Sequence, residues 1–409
     1  MIYRASHDSG SIRGAVSLPS SKSISNRLLI IKALSNSPVT ISNLSKSDDT
    51  SILKELFASQ NKALEAKDAG TVMRFLTAYL ATRAGEYTLG GSERMCERPV
   101  GILVDALRQL GAKIEYAGAK GYPPLKITGS ALHGGQLVLD GSVSSQFITA
   151  LLLIAPVISG PLSIEFSGKI SSRPYISMTL QLLNTFGIES LWKNNKIKIR
   201  PGHFRETSID VEADWSAASY WYSMVALAKE AEITLTGLTG SSIQGDSIAA
   251  SVFSLLGVRT TFTDSGAVLT KSNEVAHEIG FDFTDCPDLA PAIIVTSAAL
   301  RVPGVFTGIE SLKIKESNRI TALQEELHKL DVELIEISEI AVRTKMNPEP
   351  TSPASVLGSH MDHRIAMSLA PLGLMHTSVD IKDPEVTSKS YPNFWNDLKS
   401  VGFEIRPVK

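Results

Sequence analysis

Apolar and polar positions along the chain repeat one phrase six times. A β-rich segment meets Gly or another turn residue, then a polar loop, a helix, a Leu-Gly-like stop and a further strand. The fullest copies span residues 87–114, 162–188 and 233–258, residues 305–332 and 379–403 continue the series, and a shorter first copy covers 39–57. The stops at Gly111, Gly187, Gly257, Asp331 and Gly402 fall 76, 70, 74 and 71 residues apart. Between copies sits a second helix rich in Ala, Ser, Leu and Ile, beginning near Ser23, Gly70, Ser145, Ala217, Leu289 and His363. Each unit therefore reads as β–α–β–α–β–β, with one small-residue helix buried and one amphipathic helix more exposed. The period exceeds that of common solenoids, so the units are folding blocks, three to each of two domains. The interval from the first stop, near Gln60, to Gly111 is about 20 residues shorter than the others, so one unit is trimmed there.

Length agrees with two domains, since 409 residues exceed one ordinary core. Lys and Arg number 40 against 42 Asp and Glu, a formal net charge of −2. That balance speaks against a nucleic-acid or membrane-surface partner, which would need an excess of cations. Two cysteines, Cys96 and Cys286, make no disulfide framework and fit a reducing compartment. The opening Met1-Ile-Tyr-Arg4 has no signal-peptide apolar core, and the longest apolar run, 147–158, contains a Pro and is too short to span a bilayer. A cytoplasmic protein is expected.

The stretch Pro19-Ser-Ser-Lys-Ser-Ile-Ser-Asn-Arg27 lies between a strand-like segment, 14–18, and an apolar helix, 28–34. Ser23 reads as the helix N-cap, and Arg27, four residues on, shares its face. Backbone N–H groups, a helix dipole, a Lys and an Arg would converge there on an anion. Equivalent loops hold Asp49, then Asp68-Ala-Gly70-Thr-Val-Met-Arg74, where Gly lets a ligand approach the backbone, and Arg94-Met-Cys-Glu-Arg98-Pro99. Further copies hold Ser144-Ser145-Gln146, Ser171-Ser172-Arg173-Pro-Tyr175, Asp288, Lys315-Glu316-Ser-Asn-Arg319, Asp362-His363-Arg364 and Lys389. A neutral chain with cations at so many equivalent loops points to a small, highly charged ligand, with Arg forks for carboxylate and phosphate and Lys as a point charge. No Walker or dinucleotide Gly pattern occurs, so no nucleotide cofactor is indicated.

Taken singly, each feature has a plainer reading. Asp288 could cap the helix from Leu289, Glu316 and Arg319 could be a surface ion pair, and the cysteines could be structural thiols. Trp215, Trp221 and Tyr222 read as packing residues. His360 and His363 show no acidic or thiol partner at ligand spacing, so no metal is expected.

In combination these motifs resemble the 5-enolpyruvylshikimate-3-phosphate (EPSP) synthase family. The match runs from Leu18-Pro-Ser-Ser-Lys-Ser-Ile-Ser-Asn-Arg27 to Lys389-Ser-Tyr-Pro392 and takes in Ala69-Gly-Thr-Val-Met-Arg74, Arg94-Met-Cys-Glu-Arg-Pro99, Asp140-Gly-Ser-Val-Ser-Ser-Gln-Phe147, Lys315-Glu316 with Arg319, and Asp362-His-Arg364. The resemblance implies the α/β two-domain enolpyruvyl transferase fold, an inside-out α/β barrel of three βαβαββ units per domain. The expected domains are 20–212 and, with the N-terminal strand, 1–19 plus 213–409. Substrates would lie in a cleft between helix N-termini, and the domains would close around them. The implied reaction transfers the enolpyruvyl group of phosphoenolpyruvate to the 5-hydroxyl of shikimate 3-phosphate through a tetrahedral intermediate, without metal or cofactor. Lys22, Ser23, Arg27, Ser144, Ser145, Gln146, Ser172, Tyr175, Asp288 and Lys315 would hold shikimate 3-phosphate. Lys22, Gly70, Arg98, Gln146, Arg319, Arg364 and Lys389 would hold phosphoenolpyruvate. Asp288 resembles the carboxylate that takes the 5-hydroxyl proton and Glu316 the proton donor. Which of Lys22, Glu316 and Lys389 moves each proton is left open.

Some positions depart from the family pattern: Asp68 replaces a common Asn, Phe75 a common Pro, and Ser311 a common Asn. One alternative is the sister enzyme acting on UDP-N-acetylglucosamine, whose reactive Cys invites comparison with Cys96. Yet Ser23 with Arg27 stands in place of its Lys-Asn signature. Another is a non-catalytic anion-binding repeat protein, which has no use for both Asp288 and Glu316. A monomer is expected, since neither domain shows an apolar docking stripe.

Overall fold

The computed structural model describes residues 1–347 and 356–408. The chain separates into two compact units, Ser21–Val211 and Met1–Ser20 with Glu212–Lys409.

In the unit 21–211 the helices are α1 (Lys22–Leu34), α2 (Asp48–Ala58), α3 (Gly70–Ala81), the short α4 (Glu93–Cys96), α5 (Gly101–Gln109), α6 (Ser145–Ile154) and α7 (Arg173–Thr185). Two complete βαβαββ repeats are present. In one, strands Ala63–Glu65 and Glu86–Gly90 are parallel around α3, and after α5 the hairpin Lys113–Tyr116/Leu125–Thr128 adds its second strand antiparallel to the sheet. The other repeats this with His133–Asp140, α6, Ser159–Ser167, α7 and the hairpin Ser190–Lys193/Lys196–Ile199. The third is the trimmed one. It has a two-stranded parallel sheet, Val39–Ser42 with Thr207–Asp210, and helices α1 and α2, but α2 runs straight on to Ala63–Glu65 with no closing hairpin. What the trimmed repeat lacks is thus the β-hairpin.

The other unit holds α8 (Trp215–Leu227), α9 (Ala249–Ser254), α10 (Ala290–Ala299), α11 (Arg319–His328), α12 (His363–Leu369) and α13 (Phe394–Ser400), with three four-stranded sheets of the same order. The strand Ser11–Ser17 pairs parallel with Glu230–Thr236 and so starts a repeat that the later chain finishes. The last repeat is closed by the N-terminal strand Ile2–Ser6, antiparallel to both Val379–Lys382 and Glu404–Val408. Ser20 bridges Ala213 where the chain leaves and returns.

Parallel neighbours need a crossover, and a helix supplies it. One helix per repeat, α1, α3 and α6 in one unit and α8, α10 and α12 in the other, packs against its two counterparts, with the sheets outside. Composition explains this placement. All of α12 is buried, and so is α10 except for Ala299; α10 is apolar or small all round, and so is α12 beyond His363 and Arg364 at its start. By contrast α5 buries one stripe, Leu103, Val104, Ala106 and Leu107. Trp215, Trp221 and Tyr222 are core residues, with Trp215 stacked on Tyr222 at 6.3 Å. Since every helix follows an equivalent strand, the helix N-termini of a unit gather at one end, where the polar loops lie.

Candidate active site

In the unit 21–211, α1 begins one residue before Ser23. The cap is Ser21, whose Oγ accepts from the N–H of Ile24, and Ser23 lies in the first turn rather than capping it. Ser20, bridged to Ala213, holds the chain extended up to that point, which sets the cap earlier than helix propensity suggested. Lys22 Nζ stands 3.1 Å from the carboxylate of Asp49, in the first turn of α2, and both side chains are largely buried.

Arg27 is buried, and all three of its guanidinium nitrogens have protein partners. Its Nε donates to Thr179 Oγ1 at 2.9 Å, Nη1 to the Ser23 carbonyl at 2.8 Å, and Nη2 to Thr149 Oγ1 and the Tyr175 carbonyl. Burial lowers its pKa to about 10. Arg27 therefore ties α1 to α6 and α7, at the very turns that carry Ser23 and Tyr175. Ser144 caps α6 through the Gln146 N–H, and Ser145 and Gln146 open that helix half-buried. Ser172, buried and left-handed at φ 55°, precedes α7, and Tyr175 lies in its first turn.

At α3 the residue before the first turn is Ala69, which offers no side-chain cap, so the helix presents its N–H groups. A Cβ on Gly70 would sit 3.0 Å from Arg98 Nη2 and 3.2 Å from Arg74 Nη1. Two guanidiniums thus crowd the one residue without a side chain. Arg74 donates to the carbonyl of Pro99 at 3.1 Å, fixing the loop that brings Arg98 to the helix N-terminus. Asp68 accepts a hydrogen bond from Ser92, the cap of α4, so the acidic departure at this position braces the same loop.

In the other unit, Asp288 lies in the turn Pro287–Leu289 before α10 and does not cap it. One carboxylate oxygen accepts from Arg319 Nη1 at 3.1 Å and the other from Arg364 Nη2 at 2.6 Å, with Lys315 Nζ at 3.8 Å from the first. Burial alone would raise the Asp288 pKa, but Arg364, Lys315 and Arg319 outweigh it and hold the carboxylate far below its ordinary range. Arg319, 1% exposed, also donates to Glu316 at 3.0 Å and to Asp362 at 2.8 Å. The Glu316–Arg319 pair is therefore no surface ion pair. Lys389 ends the turn Pro384–Lys389, which packs on α12.

Three groups here carry roles that sequence reading left unassigned. Asp362, fully buried, caps α12 through the Arg364 N–H while gripping Arg319, so it sets both arginines. The Tyr220 hydroxyl lies 3.4 Å from Arg364 Nη1. Asp246 is buried against Ser216, and burial together with the Asp288 charge raises its pKa to about 6. Its signal was the loop Gln244-Gly-Asp246, at the repeat position that holds Arg98, Ser172 and Arg319 elsewhere.

His360 does have acidic neighbours, contrary to the sequence expectation: its Nε2 lies 2.7 Å from Glu326 Oε1 and 3.8 Å from Glu325. They come from α11, too distant along the chain for a spacing pattern to show. Lys329 Nζ already contacts both Glu326 oxygens, at 2.7 and 3.0 Å, so a cation is in place. A pocket of about 550 Å³ lies where α1 and α6 end, lined in part by Leu34, Asn36, Pro156, His203 and Phe204, and contains none of the site residues. Among the described residues no helix is long and apolar enough to cross a membrane.

Comparison with solved structures defines the fold. The fold superposes on EPSP synthase from Acinetobacter baumannii with a TM-score of 0.79 at 22% identity, covering 100% of both chains. It also matches the enolpyruvyl transferase NikO from Streptomyces tendae, with a TM-score of 0.76, 18% identity and coverage of 99% and 98%. The architecture is that of the enolpyruvyl transferases. The sequence model of EPSP synthase (3-phosphoshikimate 1-carboxyvinyltransferase) matches residues 7–59 and 51–398. The 3-phosphoshikimate 1-carboxyvinyltransferase of Bacteroides fragilis strain YCH46 is 46% identical over 396 residues, 97% of each chain, and that of Pseudoalteromonas translucida 35% identical over 418 residues, 95% of this chain and 97% of its own. The chain belongs to the EPSP synthase family.

Proposed function

We propose a division of labour among these residues for the reaction of the family. The enzyme transfers the enolpyruvyl group of phosphoenolpyruvate to the 5-hydroxyl of shikimate 3-phosphate and releases phosphate, a step of the shikimate pathway to aromatic amino acids. The hydroxyl adds to C2 while C3 gains a proton, and the tetrahedral ketal phosphate then loses phosphate and a C3 proton. That chemistry asks for an acid, a base and preorganised cations.

Lys22, Ser23, Ser144, Ser145, Gln146, Ser172 and Tyr175 hold shikimate 3-phosphate with Lys315 and Asp288, and Arg27 serves them from beneath by fixing the turns of Ser23 and Tyr175. Gly70 and Arg98 receive the phosphate of phosphoenolpyruvate with Lys22, Gln146 and Lys389, and Arg319 and Arg364 take its carboxylate. Asp288 accepts the 5-hydroxyl proton and Glu316 delivers a proton to C3, with Lys22 and Lys389 as the other proton carriers. The observation that carries this reading is the buried network in which one arginine, Arg319, contacts both Asp288 and Glu316. Those two carboxylates are the acid and base the reaction needs. A cytoplasmic monomer is part of the same proposal.

Phosphate release from a mixture of the two substrates tests it. Release is expected with shikimate 3-phosphate and not with UDP-N-acetylglucosamine; the reverse outcome would move the assignment to the sister enzyme.

A further inference from the structure

Arg319 and Arg364 are already engaged by carboxylates. Asp288 gives one oxygen to each, at 3.1 Å and 2.6 Å, and Glu316 takes the Nη2 of Arg319 at 3.0 Å. The bond from Arg319 to Asp362 differs in kind. Asp362 is fully buried and also caps α12, whereas the side chains of Asp288 and Glu316 retain 19% and 16% exposure and can be exchanged for a ligand. Facing Asp288 are Arg364, Lys315, Arg319, Glu316 and Asp246, three cations against two acids.

We infer that Asp288, seconded by Glu316, is an internal stand-in for the carboxylate of phosphoenolpyruvate, so that this substrate binds by displacing the enzyme's own base from Arg319 and Arg364. The inference rests on the assignment of these arginines to phosphoenolpyruvate made above. Two carboxylates compete for the same guanidinium donors, and an Arg fork paired with one is closed to the other. While paired, Asp288 is a poor base, because two positive partners stabilise its ionised form. Displacement frees it at the moment the second substrate arrives, so phosphoenolpyruvate alone binds weakly and its binding switches the base on. Ligand affinity is lowered by whatever free energy holds the stand-in in place.

The test is equilibrium binding of phosphoenolpyruvate alone, by calorimetry, to the wild type, Asp288→Asn and Glu316→Gln. Glu333→Gln is the control, since it removes one negative charge from an exposed pair with Lys345 in the same unit. Asp288→Asn is expected to bind phosphoenolpyruvate at least tenfold more tightly than the wild type, Glu316→Gln two- to fivefold, and Glu333→Gln unchanged. Affinity in Asp288→Asn no higher than in Glu333→Gln would overturn the inference. Should Asp288→Asn fail to fold, Glu316→Gln decides by the same comparison. Phosphate release by the wild type is measured alongside. Its absence would strike the assignment of the site, whereas normal release without tightening in the variants would strike the stand-in alone.

Discussion

Lys22 and Asp49 form an ion pair of 3.1 Å between the first turns of two helices, with side chains only 12% and 5% exposed. A Lys stem is flexible, so a buried counter-charge converts a wandering ammonium into a placed one. Lys22→Ala is expected to abolish nearly all turnover, as it removes the charge proposed to support the departing phosphate. Asp49→Asn should leave Lys22 present but unplaced, with kcat about tenfold lower, a loss on the order of 1.4 kcal/mol in transition-state stabilisation. Steady-state phosphate release checks both, and a near-normal kcat in Lys22→Ala would remove that residue from the mechanism.

Arg27 separates scaffold from ligand contact. Its bonds reach Thr179, Thr149 and the carbonyls of Ser23 and Tyr175 from one planar fork. A lysine ammonium has neither the geometry nor the donors to replace it. Arg27→Lys should lower the unfolding free energy by about 1–3 kcal/mol, from buried acceptors left unpaired, and raise KM for shikimate 3-phosphate as a consequence. Thermal unfolding and kinetics on the same sample distinguish the roles: an unchanged Tm with a raised KM would mean direct contact with the substrate.

The Gly70 site predicts the opposite split. The atoms a Cβ would meet are the far ends of Arg98 and Arg74, which can shift without disturbing the backbone. Gly70→Ala should therefore fold with unchanged or slightly higher Tm, since Ala is the better helix former. It should raise KM for phosphoenolpyruvate tenfold or more by pushing Arg98 off its position. A fall in Tm with KM unchanged would contradict the crowding.

Much of this fold is legible in the chain because each repeat must solve the same packing problem. Small residues around a helix can only mean a buried helix, and α6, α10 and α12 begin within a residue of where the pattern put them. The motif loops stand out because charge has no reason to recur at helix starts unless something binds there. What could not be read was the partner of each charge. Arg27 and Lys22 look alike as solvated cations in sequence, yet one is a buried hub and the other the near-buried partner of Asp49. Ser21 took the cap from Ser23 because Ser20 bridges to Ala213, a contact no local rule contains. His360 meets Glu326 only because a helix end and a loop of left-handed residues are folded together.

Asp288 is testable as the base independently of its part in ligand competition. Asp288→Asn keeps the shape and one acceptor but cannot take a proton. Loss of kcat by several hundredfold or more, with shikimate 3-phosphate affinity changed only a few-fold, is expected. Direct titration with shikimate 3-phosphate gives the affinity and single-turnover phosphate release the rate. Weakened binding with an intact rate would make Asp288 a ligand holder.

Asp246 gives a dependence on pH whose sign follows from burial. Its pKa is raised from 3.8 to about 6, by burial first and then by the charge of Asp288, so the folded protein holds this proton more tightly than the unfolded chain does. Below about pH 3 both states are protonated and the group costs nothing. As pH rises towards 6 the unfolded chain releases its proton first, and stability falls until the folded carboxyl also ionises, the penalty levelling off above about pH 6. Asp246→Asn retains an acceptor for the Ser216 hydroxyl and removes the ionisation. The variant should therefore match the wild type near pH 3 and exceed it in Tm at pH 7 to 8, the gap opening between those limits. Unfolding scans of both proteins across that range decide it, because every other carboxylate is common to the pair. A gap that is constant with pH would show that folding leaves the proton affinity of Asp246 unchanged, and one widest in acid that folding lowers its pKa; either would contradict the raised pKa.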